Sequence, residues 1–362
     1  MTESAVPLAL LFIASALTSF ATTGIVKRST EQVGFVDHPD EERKHHREST
    51  SRLGGLAIIF GFGFPLLMLA VNEQAAALVT RNISYLFGVL ASGSLIVGLG
   101  VYDDVIGANA PKKFAVQTLA ALVLVAFGFQ FDIVSIAGRV YDLGFLGGVA
   151  SLIWIVGVIN AMNFIDGMDS LATVVAATTA IAFVVIGVLR DDIFSLTIMT
   201  ALAGSLAGFY PWNKPPAKIF MGDTGSMFIG LLLAAGSIAQ PSKSPTAILI
   251  VGPMMALALP VLDTLIVMKK RFGNRHETTP LLARIGRIFE ADRQHIHHIL
   301  IARYGSAGKA IFWIWLVTLL FAGAAVLTVV QKTKLIGYSA GGAALLMLLI
   351  LRYWRRGVKT AA

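Results

Sequence analysis

The sequence predicts an all-α polytopic membrane protein forming a single membrane domain over residues 1–362. The chain is 56% hydrophobic and 14% charged, with a mean hydropathy of +0.75, whereas soluble domains carry about 25% charged residues. A soluble chain this apolar cannot cover its own surface, so lipid must be the solvent for much of it. About eleven apolar runs are long enough to cross ~30 Å of hydrocarbon at ~1.5 Å per residue.

These runs set the predicted order of transmembrane helices. They lie near 5–26, 53–71, 83–101, 114–130, 147–163, 171–189, 193–211, 226–240, 246–268, 309–330 and 335–353. The first is predicted to be a retained helix, since residues 1–28 lack the basic segment and cleavage site of a secretory signal. Between the fourth and fifth runs, residues 131–143 predict a small external (periplasmic) hairpin around Gly138-Arg139.

Lys and Arg predict the orientation. Alternate loops carry 21 of these residues on one side and six on the other, and cytoplasmic loops are the ones that collect them. The amino terminus is therefore expected outside, and the carboxyl terminus and the long loop 269–308 in the cytoplasm. We interpret the net charge of +8 as this bias and not as nucleic-acid binding. The chain has no cysteine, which excludes disulfides and thiolate chemistry.

Five carboxylates fall at the cytoplasmic ends of predicted spans: Asp103, Asp104, Asp166, Asp169 and Asp223. Acidic side chains are costly near lipid and usually mark function there. Hard divalent cations prefer oxygen ligands, so carboxylates converging on one membrane face predict a cation site. The negative charges of the adjacent Asp103 and Asp104 repel each other unless a cation neutralises them. This arrangement suits a general base beside a metal. Each pair alone is also compatible with a solvated helix end.

Two further segments surround these carboxylates with polar groups and glycines. Asn160 and Asn163 stand three residues apart and share a helix face that leads to Asp166. In Lys218–Ser226, two glycines let the backbone approach a ligand closely. A helix starting near Ser226 would offer free N–H groups to a phosphate. The plainer interpretation is an N-cap at Thr224 or Ser226.

A histidine-rich element, Asp292–His298, lies in the basic loop 269–308. Its spacing lacks the i, i+4 histidine pair of a helical zinc site, and the neighbouring Arg293 favours contact with an anion such as phosphate. Zinc binding and a passive loop are the alternatives. The first cytoplasmic loop, which contains His46 and Arg47, is a solvated loop or a site for an anionic lipid headgroup.

Taken together and in this order, the motifs resemble the polyprenyl-phosphate N-acetylhexosamine-1-phosphate transferase family (glycosyltransferase family 4) over about residues 30–305. The matching elements are Asp103-Asp104, Asn-x-x-Asn-x-x-Asp-Gly-x-Asp ending at Asp169, Phe-Met-Gly-Asp-x-Gly-Ser ending at Ser226, and His-x-His-His ending at His298. The last favours the branch that uses UDP-N-acetylglucosamine and begins O-antigen (lipopolysaccharide), teichoic acid or related glycans. The sister branch is phospho-N-acetylmuramoyl-pentapeptide transferase.

The resemblance implies a role for each matching residue. Asp103 and Asp104 correspond to the catalytic pair, one of which deprotonates the lipid phosphate. Asp103 as a base in a single displacement and Asp103 as a covalent nucleophile in a double displacement are both open. Asn163 and Asp223 correspond to the ligands of Mg²⁺, with Mn²⁺ as an alternative. In the pocket, Phe220 stacks on uracil, and the basic residues contact phosphates and sugar. The substrate-binding residues are His46, Arg47, Lys113, Asp166, Asp169, Asn213, Phe220, Arg293, His295, His297 and His298.

The implied reaction moves N-acetylhexosamine 1-phosphate, most simply GlcNAc-1-phosphate, from a UDP-sugar to undecaprenyl phosphate and releases UMP, in a bacterial cytoplasmic membrane. Ser170 stands where Gly is usual, Ser51 replaces a usual Pro, and the stretch 273–290 is longer than expected, which leaves the sugar open. A secondary transporter would place polar groups at the midplane and show inverted repeats, unlike this pattern. The muramoyl-pentapeptide donor remains an alternative, and a homodimer remains open.

Overall fold

A computed structural model of the chain describes residues 2–33, 50–70, 83–136, 139–238, 251–273 and 294–353. Over these ranges the protein is nearly all helical, which confirms the predicted fold class. The helices are α1 (Thr2–Val33), α2 (Gly54–Ala70), α3 (Ile83–Ile106), α4 (Ala110–Ala126), α5 (Gly144–Ile165), α6 (Leu171–Arg190), α7 (Ile193–Asn213), α8 (Gly222–Ile238), α9 (Val251–Ala256), α10 (Ala258–Gly273), α11 (Ile296–Tyr304), α12 (Ala307–Val329) and α13 (Lys334–Tyr353), with a 3-10 turn at Gln331–Thr333.

The helices meet the requirements of a multi-pass membrane protein. Within the described ranges, seven are long and apolar enough to cross a membrane: Pro7–Gln32, Ile83–Ile106, Gly144–Ile165, Leu171–Arg190, Ile193–Asn213, Ala307–Val329 and Lys334–Tyr353. Shorter apolar helices lie at Gly54–Met68 and Gly222–Ile238. Each of the eleven predicted runs overlaps a described helix. The number of eleven crossings stays a prediction.

The predicted hairpin is present between α4 and α5. Strands β1 (Ile133–Ile136) and β2 (Arg139–Asp142) pair antiparallel, with Ile133 opposite Asp142. The base of the hairpin is closed by the Leu143 N–H, which donates to the Asp132 carbonyl at 2.8 Å. The hairpin therefore forms the connection between α4 and α5.

Helix α8 lies at the centre of the bundle. Nearly all of its residues are buried, and it packs against α2, α3, α5, α6 and α7. Close approach needs small residues: a Cβ at Gly230 would lie 2.8 Å from the Ile159 Cα of α5, and one at Gly100 would lie 2.3 Å from the Thr224 Cα. The last turn of α3 is thereby held against the first turn of α8, which brings the acidic pair beside Asp223.

Two further groups of helices flank this centre. Helix α1 packs on α2 and α7, where a Cβ at Gly208 would lie 2.0 Å from the Ala16 carbonyl oxygen. On the other flank α12 and α13 pair with each other, and α12 also contacts α6, α9 and α11. Large apolar side chains on the outside, such as Leu17 and Ile153, are well exposed, as expected for surfaces that face lipid.

Candidate active site

Four helix ends meet at one edge of the bundle and bring charged side chains together. The ends of α3 and α5 and the beginnings of α4 and α8 contribute them. Lys113 Nζ lies 2.6 Å from Asp223 Oδ2 and also forms an ion pair with Asp103 Oδ2. A single ammonium group therefore bridges two of the predicted site carboxylates, although Lys113 and Asp223 are 110 residues apart.

A tight turn between α3 and α4 puts Lys113 over Asp103. Helix α3 ends at Ile106, and Gly107 adopts a left-handed conformation (φ +88) that favours glycine. Asn109 then caps α4, accepting a hydrogen bond from the Lys112 N–H at 3.1 Å. The Asp103 carboxylate closes this turn, since Oδ1 accepts the Ala108 N–H at 2.6 Å. The predicted base and the predicted phosphate-binding lysine thus belong to one local unit.

Asp104 has a different set of partners from its neighbour. Its Oδ1 accepts the Asp223 N–H at 2.8 Å, and its Oδ2 accepts the N–H and the hydroxyl of Thr224 at 2.9 and 2.6 Å. Helix α8 begins at Gly222, four residues before the predicted start near Ser226. The expectation that its first N–H groups are free for a phosphate is wrong for Asp223 and Thr224. Their N–H groups are satisfied by Asp104 from another helix.

Asn163 approaches Asp223 from the end of α5. Its Nδ2 donates to Ser226 Oγ at 3.0 Å, and its side chain lies beside the Asp223 carboxylate. Behind it, Asn160 donates to Gln117 Oε1 at 2.7 Å, which ties α5 to α4. The two predicted metal-binding residues are therefore adjacent, and a buried polar network holds them.

The loop after α5 carries the next pair of acids. Asp166 is the C-cap of α5, and burial, followed by the negative charges of Asp223, Asp104 and Asp169, raises its pKa well above the usual carboxyl value. Asp169 Oδ2 accepts the Ala217 N–H at 3.0 Å. The negative charges of the neighbouring carboxylates therefore act on Asp166. Asp169 attaches its own loop to the segment that precedes α8.

Ser170 shows why glycine suits the position after this motif. Its backbone is left-handed (φ 60, ψ −4), which costs an L side chain about 1 kcal/mol relative to glycine. The Ser170 N–H donates to Asn213 Oδ1 at 3.1 Å. The departure noted in the sequence therefore affects backbone strain and leaves the neighbouring carboxylates in place.

Asn213 and Phe220 lie at the two ends of the segment before α8. Asn213 is buried; Oδ1 also accepts the Thr173 hydroxyl at 2.7 Å, and Nδ2 donates to the Ile219 carbonyl at 3.1 Å. The Phe220 N–H donates to the Ser51 carbonyl at 2.8 Å, so the segment is also attached to the start of α2. The described contacts of Asn213 are to the protein. Substrate contact by Asn213 and uracil stacking by Phe220 stay predictions.

The described part of the His-x-His-His element packs against the end of α5. The Phe164 and His295 ring centroids are 5.6 Å apart, and His295 stacks on His297 at 5.9 Å. His297 is 2% exposed, and a Cβ at Gly167 would lie 2.5 Å from its Nε2. Burial, followed by the charge of His298, lowers the pKa of His297 to about 3, so the imidazole is neutral at physiological pH. The element therefore reaches the Asp166 loop.

Some predicted residues lie outside the described ranges, and two residues were missed. His46, Arg47 and Arg293 fall in the undescribed segments. Asp263 and Arg352, which sequence reasoning did not select, form a buried ion pair beside His295. The signal available was a lone Asp inside an apolar run and an Arg at the end of another, patterns that also suit a membrane span and its anchor.

The fold and the site define an integral membrane enzyme whose charged groups gather at the ends of its helices. Comparison with known proteins gives its family. Residues 86–240 match glycosyl transferase family 4. The chain is 32% identical, over 90% of its length and 86% of the relative, to a probable undecaprenyl-phosphate N-acetylglucosaminyl 1-phosphate transferase of Bacillus subtilis (strain 168). The protein belongs to glycosyl transferase family 4 and is a transferase.

Two other relatives represent two activities within the family. A decaprenyl-phosphate N-acetylglucosaminephosphotransferase of Mycolicibacterium smegmatis is 35% identical over 85% of the chain and 79% of the relative. A phospho-N-acetylmuramoyl-pentapeptide-transferase of Streptococcus pneumoniae (strain Hungary19A-6) is 28% identical over 59% of the chain and 66% of the relative. The similarity to the N-acetylglucosamine-phosphate transferases is therefore both higher and more extensive.

Proposed function

We propose that the protein transfers N-acetylglucosamine 1-phosphate from UDP-N-acetylglucosamine to undecaprenyl phosphate and releases UMP. The observation that carries this proposal is the bridge by Lys113 Nζ between Asp103 and Asp223 at the ends of the helices. In such a site the ammonium group can bind a negatively charged phosphate, and a carboxylate can remove a proton. Beside Asp103, the exposed side chains of Val105 and Ile106 offer an apolar surface to a polyprenyl tail.

In the proposed reaction Asp103 is the general base. It takes the proton from the lipid phosphate, whose oxygen then attacks the β-phosphorus of the UDP-sugar. The bond between the β-phosphorus and the bridging oxygen breaks, and UMP leaves with that oxygen and the electron pair. Asp104 is proposed as a positioning residue, because its carboxylate already accepts three hydrogen bonds from Asp223 and Thr224. Of the two adjacent acids, Asp103 is thus proposed to accept the proton and Asp104 to hold the start of α8 in place.

The donor set at Asn163 and Asp223 fits a magnesium ion, with Mn²⁺ as the alternative. Among the described residues, no three His, Cys, Asp or Glu side chains form a group that holds a metal unaided. Mg²⁺ characteristically binds through one or two carboxylates together with waters and substrate phosphates, so a sparse protein set suits it. When bound, the ion neutralises charge on the pyrophosphate oxygens. Lys113 provides the protein's own positive charge at the same place.

The remaining predicted residues are assigned to the two substrates. Asp166, Asp169 and Phe220 line the proposed nucleotide pocket, and Asn213 holds that pocket in shape. The His-x-His-His element with Arg293 contacts the sugar and its phosphate, and His46 with Arg47 contacts the lipid phosphate.

We place this face of the bundle in the cytoplasm of a bacterial inner membrane, with the amino terminus outside and the carboxyl terminus inside. Reporter fusions at both termini test this orientation, and two reporters on the same side would contradict it.

An assay of the purified protein tests the reaction and the donor together. Undecaprenyl phosphate is supplied with UDP-N-acetylglucosamine, UDP-N-acetylgalactosamine or UDP-N-acetylmuramoyl-pentapeptide, and UMP and the lipid product are measured. We expect turnover with the first donor, and none in an Asp103→Asn preparation used as control. Turnover with the pentapeptide donor alone would assign the protein to the sister activity, and no UMP from any donor would refute the proposal.

A further inference from the structure

A buried carboxylate outside the proposed reaction centre holds the His-x-His-His element. Asp263 lies within α10 and is 2% exposed. Its Oδ2 is 2.8 Å from His295 Nδ1, and its Oδ1 accepts the Ile296 N–H at 3.0 Å. A carboxylate this deeply buried is stable only when charged and hydrogen-bonding partners surround it. Two of those partners belong to the start of α11.

The balancing charge comes from α13. Arg352 Nη1 forms an ion pair with Asp263 Oδ1, and Nη2 donates to the Gln294 carbonyl at 2.9 Å. The side chain of Arg352 is 4% exposed. Because one guanidinium group spans Asp263 and the residue before His295, it joins α10, α13 and the turn into α11. The pair is therefore a three-way connection and not a surface ion pair.

This connection fixes both the backbone and the ring at His295. His295 is the N-cap residue of α11 (φ −64, ψ 152), and its own side chain makes no capping hydrogen bond. Instead of the His295 side chain, the Asp263 carboxylate accepts the hydrogen bond from the Ile296 N–H. The contact of His295 Nδ1 with the Asp263 carboxylate fixes the orientation of the imidazole ring and leaves Nε2 on the opposite edge. The ring lies beside Phe164 at the end of α5.

We propose that Asp263 and Arg352 are positioning residues for the UDP-sugar, and that they act by orienting His295. The inference rests on the proposed function, since it takes the His-x-His-His element to contact the donor. It extends the functional machinery to α10 and α13, which lie beyond the matched segment 86–240. A fixed ring orientation matters for recognition, because a hydrogen bond between the sugar and Nε2 requires that nitrogen to lie at the right distance and angle.

A double-mutant cycle tests whether Asp263 acts through His295. We expect Asp263→Asn to lower kcat/KM for UDP-N-acetylglucosamine about tenfold or more, with the KM for undecaprenyl phosphate unchanged. In a His295→Ala background the same substitution is expected to add less than about threefold. Arg303→Gln is the matched control: Arg303 also links α11 to α13, through the Leu351 carbonyl, without contacting Asp263. It is expected to stay within about twofold of wild type.

Hydrogen exchange gives a readout that does not depend on activity. In the detergent-purified protein, the amides of residues 294–300 are expected to exchange about tenfold faster in Asp263→Asn than in wild type, and unchanged in Arg303→Gln. Arg352→Lys keeps the charge but cannot span both acceptors, so it provides a second test should Asp263→Asn not fold. If wild type transfers no sugar phosphate, the proposed function fails while the exchange result still stands. Equal kinetic losses in both backgrounds, or unchanged exchange in both variants, would overturn the positioning role.

Discussion

Asp104 Oδ2 accepts hydrogen bonds from both the N–H and the hydroxyl of Thr224, at 2.9 and 2.6 Å, although 120 residues separate them. The other oxygen of Asp104 accepts the Asp223 N–H. One side chain from α3 therefore caps α8, the helix at the centre of the bundle. Asp223, whose N–H is held by this cap, directs its carboxylate to Lys113 Nζ at 2.6 Å.

Asp104→Asn is expected to destabilise the fold, and Asp103→Asn is expected to stop turnover without this loss. An amide at 104 replaces one acceptor oxygen with a donor that faces N–H groups, which costs about 1–3 kcal/mol. At position 103, Lys113 retains Asp223 as its partner after substitution. Thermal unfolding in detergent and UMP release are measured on both variants. Equal melting temperatures for the two variants would contradict the division of roles.

The sequence was sufficient to locate the acidic motifs at helix ends, but it did not separate the roles of Asp103 and Asp104. Hydropathy and charge predict spans and their edges, because each span is a local property of about twenty residues. The cap of α8 depends on tertiary contact between α3 and Thr224, which no local pattern encodes. The predicted start near Ser226 was late for the same reason, since the capping residue comes from another helix.

Asp263 and Arg352 illustrate a second limit of sequence reasoning. Asp263 and Arg352 form a buried ion pair because the tertiary fold brings α10, α11 and α13 together. The two residues are 89 positions apart, and neither lies in a motif that has a characteristic spacing. By contrast, Asn163 and Asp223 lie in dense polar motifs, and the structure brings their side chains together.

Turnover is expected to require a divalent cation, Mg²⁺ or Mn²⁺. The site carboxylates and the pyrophosphate are all negatively charged, and the single positive charge of Lys113 does not balance them, so a divalent cation is needed. UMP release is measured in excess EDTA and again after Mg²⁺ is restored, with Ca²⁺ addition as a control for nonspecific charge effects. Full turnover in EDTA would exclude a metal-dependent mechanism.

Asp223→Asn is expected to leave the protein folded and nearly inactive. Asp104 contacts the N–H of Asp223 and not its carboxylate, so the cap of α8 survives the substitution. The neutral amide is a poorer metal ligand and a weaker partner for Lys113. We expect kcat to fall more than tenfold, or about 1.4 kcal/mol. A smaller loss at an unchanged melting temperature, even with Mg²⁺ varied, would remove Asp223 from the metal site.

Stability is expected to fall as the pH is lowered from 7 to 5, in part because of His297. Its pKa of about 3 lies below the ordinary histidine value of 6.5, so the unfolded chain binds a proton that the folded chain does not. This contribution is fully present above about 6.5 and is lost progressively toward about 3. The melting temperature of His297→Gln should therefore depend less steeply on pH. Asp166, whose raised pKa acts in the opposite direction, is common to both proteins. Parallel pH profiles for wild type and variant would contradict the assignment.

His297→Ala is expected to act on the donor substrate and not on a metal. The ring is buried against Gly167 in the loop that carries Asp166, next to the proposed nucleotide pocket. Within the described ranges neither ring nitrogen of His297 has a hydrogen-bond partner, and we expect the acetamido group or a phosphate of the donor to provide one. We expect kcat/KM for the UDP-sugar to fall, while the KM for the lipid phosphate and the Mg²⁺ requirement stay unchanged.

Leu300→Ala, which removes a buried side chain from the same helix, controls for lost packing and should leave the donor KM unchanged. An unchanged donor KM in His297→Ala would reduce the element to a structural loop, and one zinc per chain by elemental analysis, released on substitution, would establish a metal site instead.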